Sequence, residues 1–93
     1  MATYQVTQSK SYAGAAGVVD ILQLQVPGDE AVLSNLGTSP VYYRTDGIDP
    51  SVRGDNSWLL APGASQIVHI GQRVTEIRTI CAAASDIFVG VQV

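Results

Sequence analysis

Turn-forming residues interrupt this chain about every 8–12 positions, and this spacing constrains its fold more than any other sequence feature. Pro and Gly break ladders and helices, so each cluster marks the end of an element. The clearest clusters are Pro27-Gly28-Asp29, Gly37-Thr38-Ser39-Pro40, Asp46-Gly47 and Ala61-Pro62-Gly63-Ala64. No window between them has helical periodicity. The sequence therefore predicts short strands joined by turns.

Apolar residues alternate with polar ones in several of these segments, as they do in strands that bury one face. In residues 22–26 the apolar side chains alternate with Gln23 and Gln25, and residues 87–93 place Ile and Val on one face. We predict an all-β fold, a small antiparallel β-sandwich of about seven to eight short strands with little or no helix. Because the chain stops within its last strand, we expect that strand to be an exposed edge that a neighbouring subunit covers.

The 93 residues predict a single β-sandwich domain spanning positions 1–93. Within it, residues 1–17 are expected to form an N-terminal strand or arm followed by a flexible loop, because residues 11–17 are small and rich in Gly. Charged residues make up only 14% of the chain, against about 25% in typical domains. A surface of small neutral side chains loses its water at low cost, which favours association with a partner.

The charge and hydropathy patterns argue against two classes of partner. The net charge is −3, and the five basic residues are scattered along the chain, so no nucleic-acid surface is expected. No apolar run approaches the ~20 residues that a membrane-spanning helix needs. The N-terminus lacks the basic start and apolar core of a secretory signal.

A cluster of oxygen-bearing side chains occupies the polar segment after Tyr43, with Asp46, Asp49, Asp55 and Asn56. Such oxygens suit calcium, but the spacing lacks the bidentate Glu of a calcium loop, and Asp also initiates turns. We therefore predict turn formation in preference to a metal site. The Arg53-Gly54-Asp55 triplet matches an integrin-recognition sequence, but these are common turn residues, and coincidence is the preferred interpretation.

Two other reactive side chains are better explained as structural than as catalytic. His69 is the one histidine, and alternation places it with Ile67 on the side opposite Val68, as a solvated or interfacial residue. Cys81 follows Ile77 and Thr79 on one strand face, which suggests a small core residue. No nucleophile elbow or phosphate-binding loop is present. We predict no catalytic residue, no cofactor and no metal, and therefore no enzyme.

The aromatic residues are the strongest candidates for contacting a partner. Tyr42 and Tyr43 must point to opposite faces of a strand, so one is expected in the core and the other outward. Trp58 either fills the core, contacts another subunit or stacks on a sugar. The candidate partner-contact residues are Tyr42, Arg44, Asp49, Arg53, Asp55 and Trp58.

Residues 35–65 resemble the small β-sandwich structural proteins of tailed bacteriophages. The similarity lies in Asn35-Leu36-Gly37-Thr38-Ser39-Pro40-Val41-Tyr42, in Asp46-Gly47-Ile48-Asp49-Pro50 and in Pro62-Gly63-Ala64-Ser65, about a third of the chain. It extends loosely to residues 74–81 and 87–93.

This resemblance implies a non-enzymatic virion component. The favoured expectation is a minor capsid or decoration (cement) protein, made in the host cytoplasm and bound to the capsid exterior. Its partner would be the lattice of the major capsid protein, and it would form a homo-oligomer, with a trimer as one option. Two alternatives stay open: a carbohydrate- or receptor-binding module of a head or tail fibre, and a passive tail or neck subunit.

Overall fold

The structure, a computed structural model, describes residues 2–25, 30–69 and 76–92. These residues form nine β-strands and no helix, which confirms the predicted all-β fold. The strands are β1 (Ala2–Val6), β2 (Ser9–Gly14), β3 (Val19–Leu24), β4 (Glu30–Asn35), β5 (Val41–Arg44), β6 (Trp58–Leu60), β7 (Ser65–His69), β8 (Glu76–Cys81) and β9 (Ser85–Gln92).

Two sheets make up the sandwich. Sheet A has the strand order β1-β3-β8-β5-β6, and sheet B has the order β2-β9-β4-β7. Every pairing is antiparallel except that of β1 with β3, which is parallel. The two sheets bury their inner faces against each other. Both contribute to one core cluster, which includes Leu22 and Ile77 from sheet A and Leu33, Ile87 and Val89 from sheet B.

Two sequence-based expectations about strands are wrong. The segment 11–17 was expected to be a loop or flexible arm, but its first half belongs to β2, which pairs with β9 from Ser9 to Gly14. The small residues there suit the tight space, because the Gly14 backbone lies against the Sγ of Cys81. The last strand is not an edge either, since β9 is paired with β2 on one side and β4 on the other.

Turn chemistry follows the sequence closely where the structure describes it. At 61–64 the amide of Ala64 donates to the carbonyl of Ala61 at 3.0 Å, and Gly63 has φ 77°. Pro followed by a left-handed Gly is the signature of a type II turn. Gly47, with φ 79°, lies in the predicted turn at Asp46-Gly47. The predicted turn at 27–29 and the expected placements of Val26, Ile70 and Val93 lie outside the described residues.

Asn35 at the end of β4 is the most heavily bonded side chain of the interior. It is fully buried, and its Nδ2 donates to the carbonyls of Ser39 at 2.7 Å and Leu60 at 3.0 Å. Its Oδ1 accepts from the amide of Gly37 at 3.1 Å and from the hydroxyl of Ser85 at 2.6 Å. One amide therefore joins the turn after β4, the end of β6 and the start of β9.

The remaining buried polar groups lie mainly between β2, β3 and β8. The hydroxyls of Tyr12 and Thr79 are 2.7 Å apart, and burial raises the pKa of Tyr12 well above its ordinary value. Asp20 accepts a hydrogen bond from the amide of Ala2 at 3.2 Å, and burial raises the pKa of this carboxyl. Cys81 is buried on the inner face of β8, as predicted, and burial raises the pKa of its thiol.

Candidate binding surface

The polar loop that connects β5 to β6, residues 45–57, is held by short-range hydrogen bonds. The amide of Gly54 donates to the carbonyl of Ser51 at 3.0 Å, and the amide of Ser57 donates to the carbonyl of Gly54 at 3.3 Å. The amide of Ser51 also donates to the hydroxyl of Ser57 at 3.2 Å. The loop therefore has a defined shape within its second half.

Besides Gly47, two residues of this loop that are not glycine adopt left-handed backbone conformations. Asn56 has φ 63°, which Asn tolerates well, whereas Arg53 has φ 56°, which costs about 1–2 kcal/mol for a residue with a long side chain. Between them lies Gly54-Asp55, so the Arg53-Gly54-Asp55 triplet forms part of a tight turn, with Arg53 and Asp55 both exposed.

Ion pairs fasten the first half of the loop to sheet A. Arg44 of β5 and Arg78 of β8 are cross-strand neighbours on the outer face of the sheet. Arg78 donates to Asp49 at 2.6 Å and to Glu76 at 2.7 Å. Arg44 donates from Nε to Asp46 at 3.0 Å and also bonds that carboxylate through Nη2. Without these carboxylates, two like charges would face each other across the strands.

These hydrogen bonds shift the pKa values of Asp46 and of the two arginines. The hydrogen bond from Arg44 lowers the pKa of Asp46, and the same bond raises the pKa of Arg44. The pKa of Arg78 is raised by its hydrogen bonds to Asp49 and Glu76. The two arginines are partly buried, but Asp46 and Asp49 are exposed to solvent, so the pairs orient the loop more than they stabilise the fold.

The two tyrosines of β5 point to opposite faces, as predicted. Tyr43 joins the core, and Tyr42 lies on the outer face of sheet A, opposite Ile80 of β8 and Leu59 of β6. Tyr42 is nevertheless only 9% exposed. With so little of its side chain exposed, Tyr42 offers little surface to a partner.

Trp58, the first residue of β6, is 67% exposed, so the interpretation of Trp58 as a core residue is wrong. Sheet A ends at β6, and the three residues of that strand have β5 as their partner among the described strands. Leu59 follows at 55% exposure, and the preceding loop exposes Ile48 and Val52. Trp58 pairs with Tyr43 and Leu59 pairs with Tyr42, so these two side chains of β6 point to opposite faces of sheet A. We call the segment that carries Ile48, Val52, Trp58 and Leu59 the loop–β6 surface.

An open groove of about 600 Å³ runs beside Trp58. Its lining comes from the end of β5, the loop and the start of β6, and consists of Arg44, Asp46, Asn56, Ser57 and Trp58. The structure thus brings two predicted contact residues, Arg44 and Trp58, into one groove. Sequence reasoning did not select Asn56 and Ser57 as contacts, because polar loop residues of this kind are common in turns.

The groove is not lined by the other predicted contact residues, which are Tyr42, Asp49, Arg53 and Asp55. Asp49 is used in the ion pair with Arg78, and Asp46 accepts the amide of Ile48 at 3.3 Å, which is the turn-forming bond that the sequence predicted for Asp residues. His69 is exposed on β7, next to the buried Val68, as alternation indicated. Within residues 2–25, 30–69 and 76–92, no three His, Cys, Asp or Glu side chains are grouped so as to hold a metal ion.

The described part of the chain contains no helix that is long and apolar enough to cross a membrane. Comparison with protein-family models, curated proteins and solved structures finds no match for this chain.

Proposed function

We propose that this chain is a non-enzymatic structural protein of a tailed-phage virion, a decoration protein that binds the exterior of the assembled capsid and stabilises it. The observation that carries the proposal is the loop–β6 surface. Four of the six large apolar side chains that are exposed among the described residues lie between Ile48 and Leu59. This concentration of exposed large apolar side chains on one short segment supports the proposal that a partner docks there.

The surroundings of this surface favour a protein partner. The chain carries only 14% charged residues, so few charges must be desolvated when it docks. The loop is already fastened by Arg78 and Asp49, which reduces the conformational entropy lost on binding. The resemblance of residues 35–65 to tailed-phage structural proteins covers this same region, and it supplies the identity of the partner, the lattice of the major capsid protein.

Stabilisation would operate by mass action. A protein that binds the assembled lattice better than its free subunits stabilises each site by RT ln(1 + [L]/Kd), about 2.7 kcal/mol when the free concentration is 100 times Kd. Many identical sites on a shell would add these contributions. Self-association into a trimer would place several copies of the loop–β6 surface on one lattice position.

The test uses purified virions of a phage that carries the gene. The protein is stripped from the particles and added back as wild type, Leu59→Ser or Ile67→Ser. Leu59 and Ile67 form a matched pair, because they are 55% and 54% exposed but lie on different sheets. Loss of a half-exposed Leu from an interface costs about 1–1.5 kcal/mol, or roughly tenfold in Kd.

We expect stripped particles to release DNA at a lower temperature. Wild type and Ile67→Ser should restore the resistance, whereas Leu59→Ser should need about tenfold more protein to do so. If stripped particles resist heat and chelators as well as intact ones, the decoration proposal fails. A reconstruction that locates the chain in the tail or neck would instead assign it to a passive structural role there.

A further inference from the structure

We infer that the groove beside Trp58 is a binding site for a neutral saccharide, with the indole as the stacking platform. This inference goes beyond the proposed capsid contact and does not rest on it. It concerns the groove lined by Arg44, Asp46, Asn56, Ser57 and Trp58.

The exposure of the indole supports a ligand site at this groove. Trp58 is 67% exposed, whereas Tyr12, Tyr42 and Tyr43 are all buried. A buried aromatic ring contributes to folding stability, but an exposed indole leaves a large apolar face in water without that gain. The carbon–hydrogen face of a pyranose ring is a flat apolar surface of similar size, and it can cover an indole while the sugar hydroxyls remain free for hydrogen bonds.

The side chains around the indole can both donate and accept hydrogen bonds. Asn56 carries both a donor and an acceptor in its amide, and Ser57 has a hydroxyl that can do either. No hydrogen bond between described residues engages the amide of Asn56, although Asn56 lies in the groove. A sugar hydroxyl also donates and accepts, so a mixed set of this kind beside an aromatic face matches a saccharide better than an apolar or purely anionic ligand.

The charges of the groove favour a neutral ligand. The groove contains one cation and one carboxylate, and these two, Arg44 and Asp46, are paired with each other. An acidic sugar or a sulfated glycan would need a cation that is not already neutralised. The net charge of −3 also opposes a polyanion. The lining therefore favours a neutral hexose over a sialylated or sulfated one.

Much of the groove is held in place by hydrogen bonds within the protein. Arg44 is fixed by two bonds to Asp46, and Ser57 is tied to Ser51 across the loop. Trp58 belongs to a strand that pairs with β5. Because these elements are already in place, a ligand would lose little affinity to the ordering of the groove.

The sequence provides a specific probe, since Trp58 is the one tryptophan of the chain. Its fluorescence is followed while methyl glycosides of glucose, galactose and mannose are added, with N-acetylneuraminic acid as the acidic comparison. A single pyranoside has about a dozen heavy atoms, which at ordinary ligand efficiency corresponds to a Kd of about 1 mM. We expect at least one neutral glycoside to shift or quench the emission saturably in this range.

Variants measured by saturation-transfer NMR locate the site. This method observes the signals of the sugar, so it also works for a variant that lacks the tryptophan. Trp58→Ala should weaken binding about tenfold or more. Asn56→Gly removes the amide while keeping a residue that adopts positive φ, and it should weaken binding several-fold. Leu59→Ala, on the same strand, should leave binding unchanged because Leu59 does not line the groove.

Three results would overturn the inference. They are an emission spectrum that no glycoside alters up to about 50 mM, well above the expected Kd, binding that survives Trp58→Ala, and binding of the acidic sugar alone. None of them bears on the capsid contact, because the decoration assay uses Leu59 and Ile67 on intact particles.

Discussion

Replacing Asn35 with Ala should be among the most damaging single substitutions in this protein. The side chain is fully buried and makes four hydrogen bonds to four different residues. Two of them are buried, the one donated to the carbonyl of Leu60 and the one accepted from the hydroxyl of Ser85. Ala would leave the carbonyl of Leu60 and the hydroxyl of Ser85 buried without these hydrogen bonds.

The size of the effect follows from these two groups. A buried polar group that loses its partner costs about 1–3 kcal/mol, so the pair predicts a loss of about 2–6 kcal/mol. A chain of 93 residues has a total free energy of unfolding of roughly 5–14 kcal/mol. The substitution should therefore remove a large share of the stability and unfold a substantial fraction of the molecules at physiological temperature.

The assay is urea denaturation followed by far-UV circular dichroism. With a slope of ~1 kcal/mol/M for a small domain, the Asn35→Ala midpoint should fall by ~2 M or more. Asn56→Gly is the control, because Asn56 is exposed and has no hydrogen bond to a described residue, and it should stay within ~0.5 kcal/mol of wild type. A midpoint for Asn35→Ala within ~0.3 M of wild type, with an unchanged slope, would refute the role of Asn35 as the link between three segments.

Three further substitutions test the interior. Tyr12→Phe removes the buried hydroxyl contact with Thr79 and should cost about 1–2 kcal/mol in denaturant unfolding. Gly14→Ala places a Cβ closer to the Sγ of Cys81 than van der Waals contact allows and should cost about 1–3 kcal/mol, measured in the same way. Asp20→Asn tests pH dependence. Burial raises the pKa of Asp20 above its ordinary 3.8, so the folded state binds this proton more tightly than the unfolded state. The stabilisation from protonated Asp20 is complete below pH 3.8 and is lost as pH rises through the raised folded-state pKa. Thermal melts should therefore show that Asp20→Asn exceeds wild type in stability at neutral pH, with the difference shrinking towards pH 3.

Each of these predictions has its own contrary result. Tyr4→Phe is the control for Tyr12, since Tyr4 has no hydroxyl hydrogen bond to a described residue, and equal losses in both variants would contradict the role of Thr79. Gly17→Ala meets no atom within 4 Å and reports only the left-handed backbone, so it should be milder than Gly14→Ala. A stability difference between Asp20→Asn and wild type that does not change with pH would contradict the buried-carboxyl account.

Local patterns predicted much of the fold. Alternation with a period of two separated Tyr42 from Tyr43, placed Cys81 with Ile77 on the inner face of β8 and turned His69 outward. These predictions succeed because side-chain alternation is a property of a single extended strand. Turn residues were also reliable at residues 61–64, since the conformation of Pro and Gly is decided within four residues.

Predictions failed where the answer depended on another part of the chain. Residues 11–14 carry no alternating apolar pattern, and they became a strand because β9 supplies hydrogen-bond partners along their length. The terminal position of β9 suggested an edge, but the order of strands in a sheet is not the order of the sequence. The same limit applies to the candidate site, where Arg44, Asn56 and Trp58 come together only because β5 pairs with β6.

By itself, the sequence determined an all-β chain, the places where it turns and the face to which most strand residues point. The tertiary structure decided which of those faces are covered. Trp58 and Tyr42 illustrate the difference, because both are aromatic strand residues, yet Trp58 is open at the edge of sheet A and Tyr42 is covered on its outer face. Alternation is set by local backbone geometry, whereas burial is set by which segments pack together. Residues far apart in sequence meet there, as Asp49 and Arg78 do from 29 residues apart.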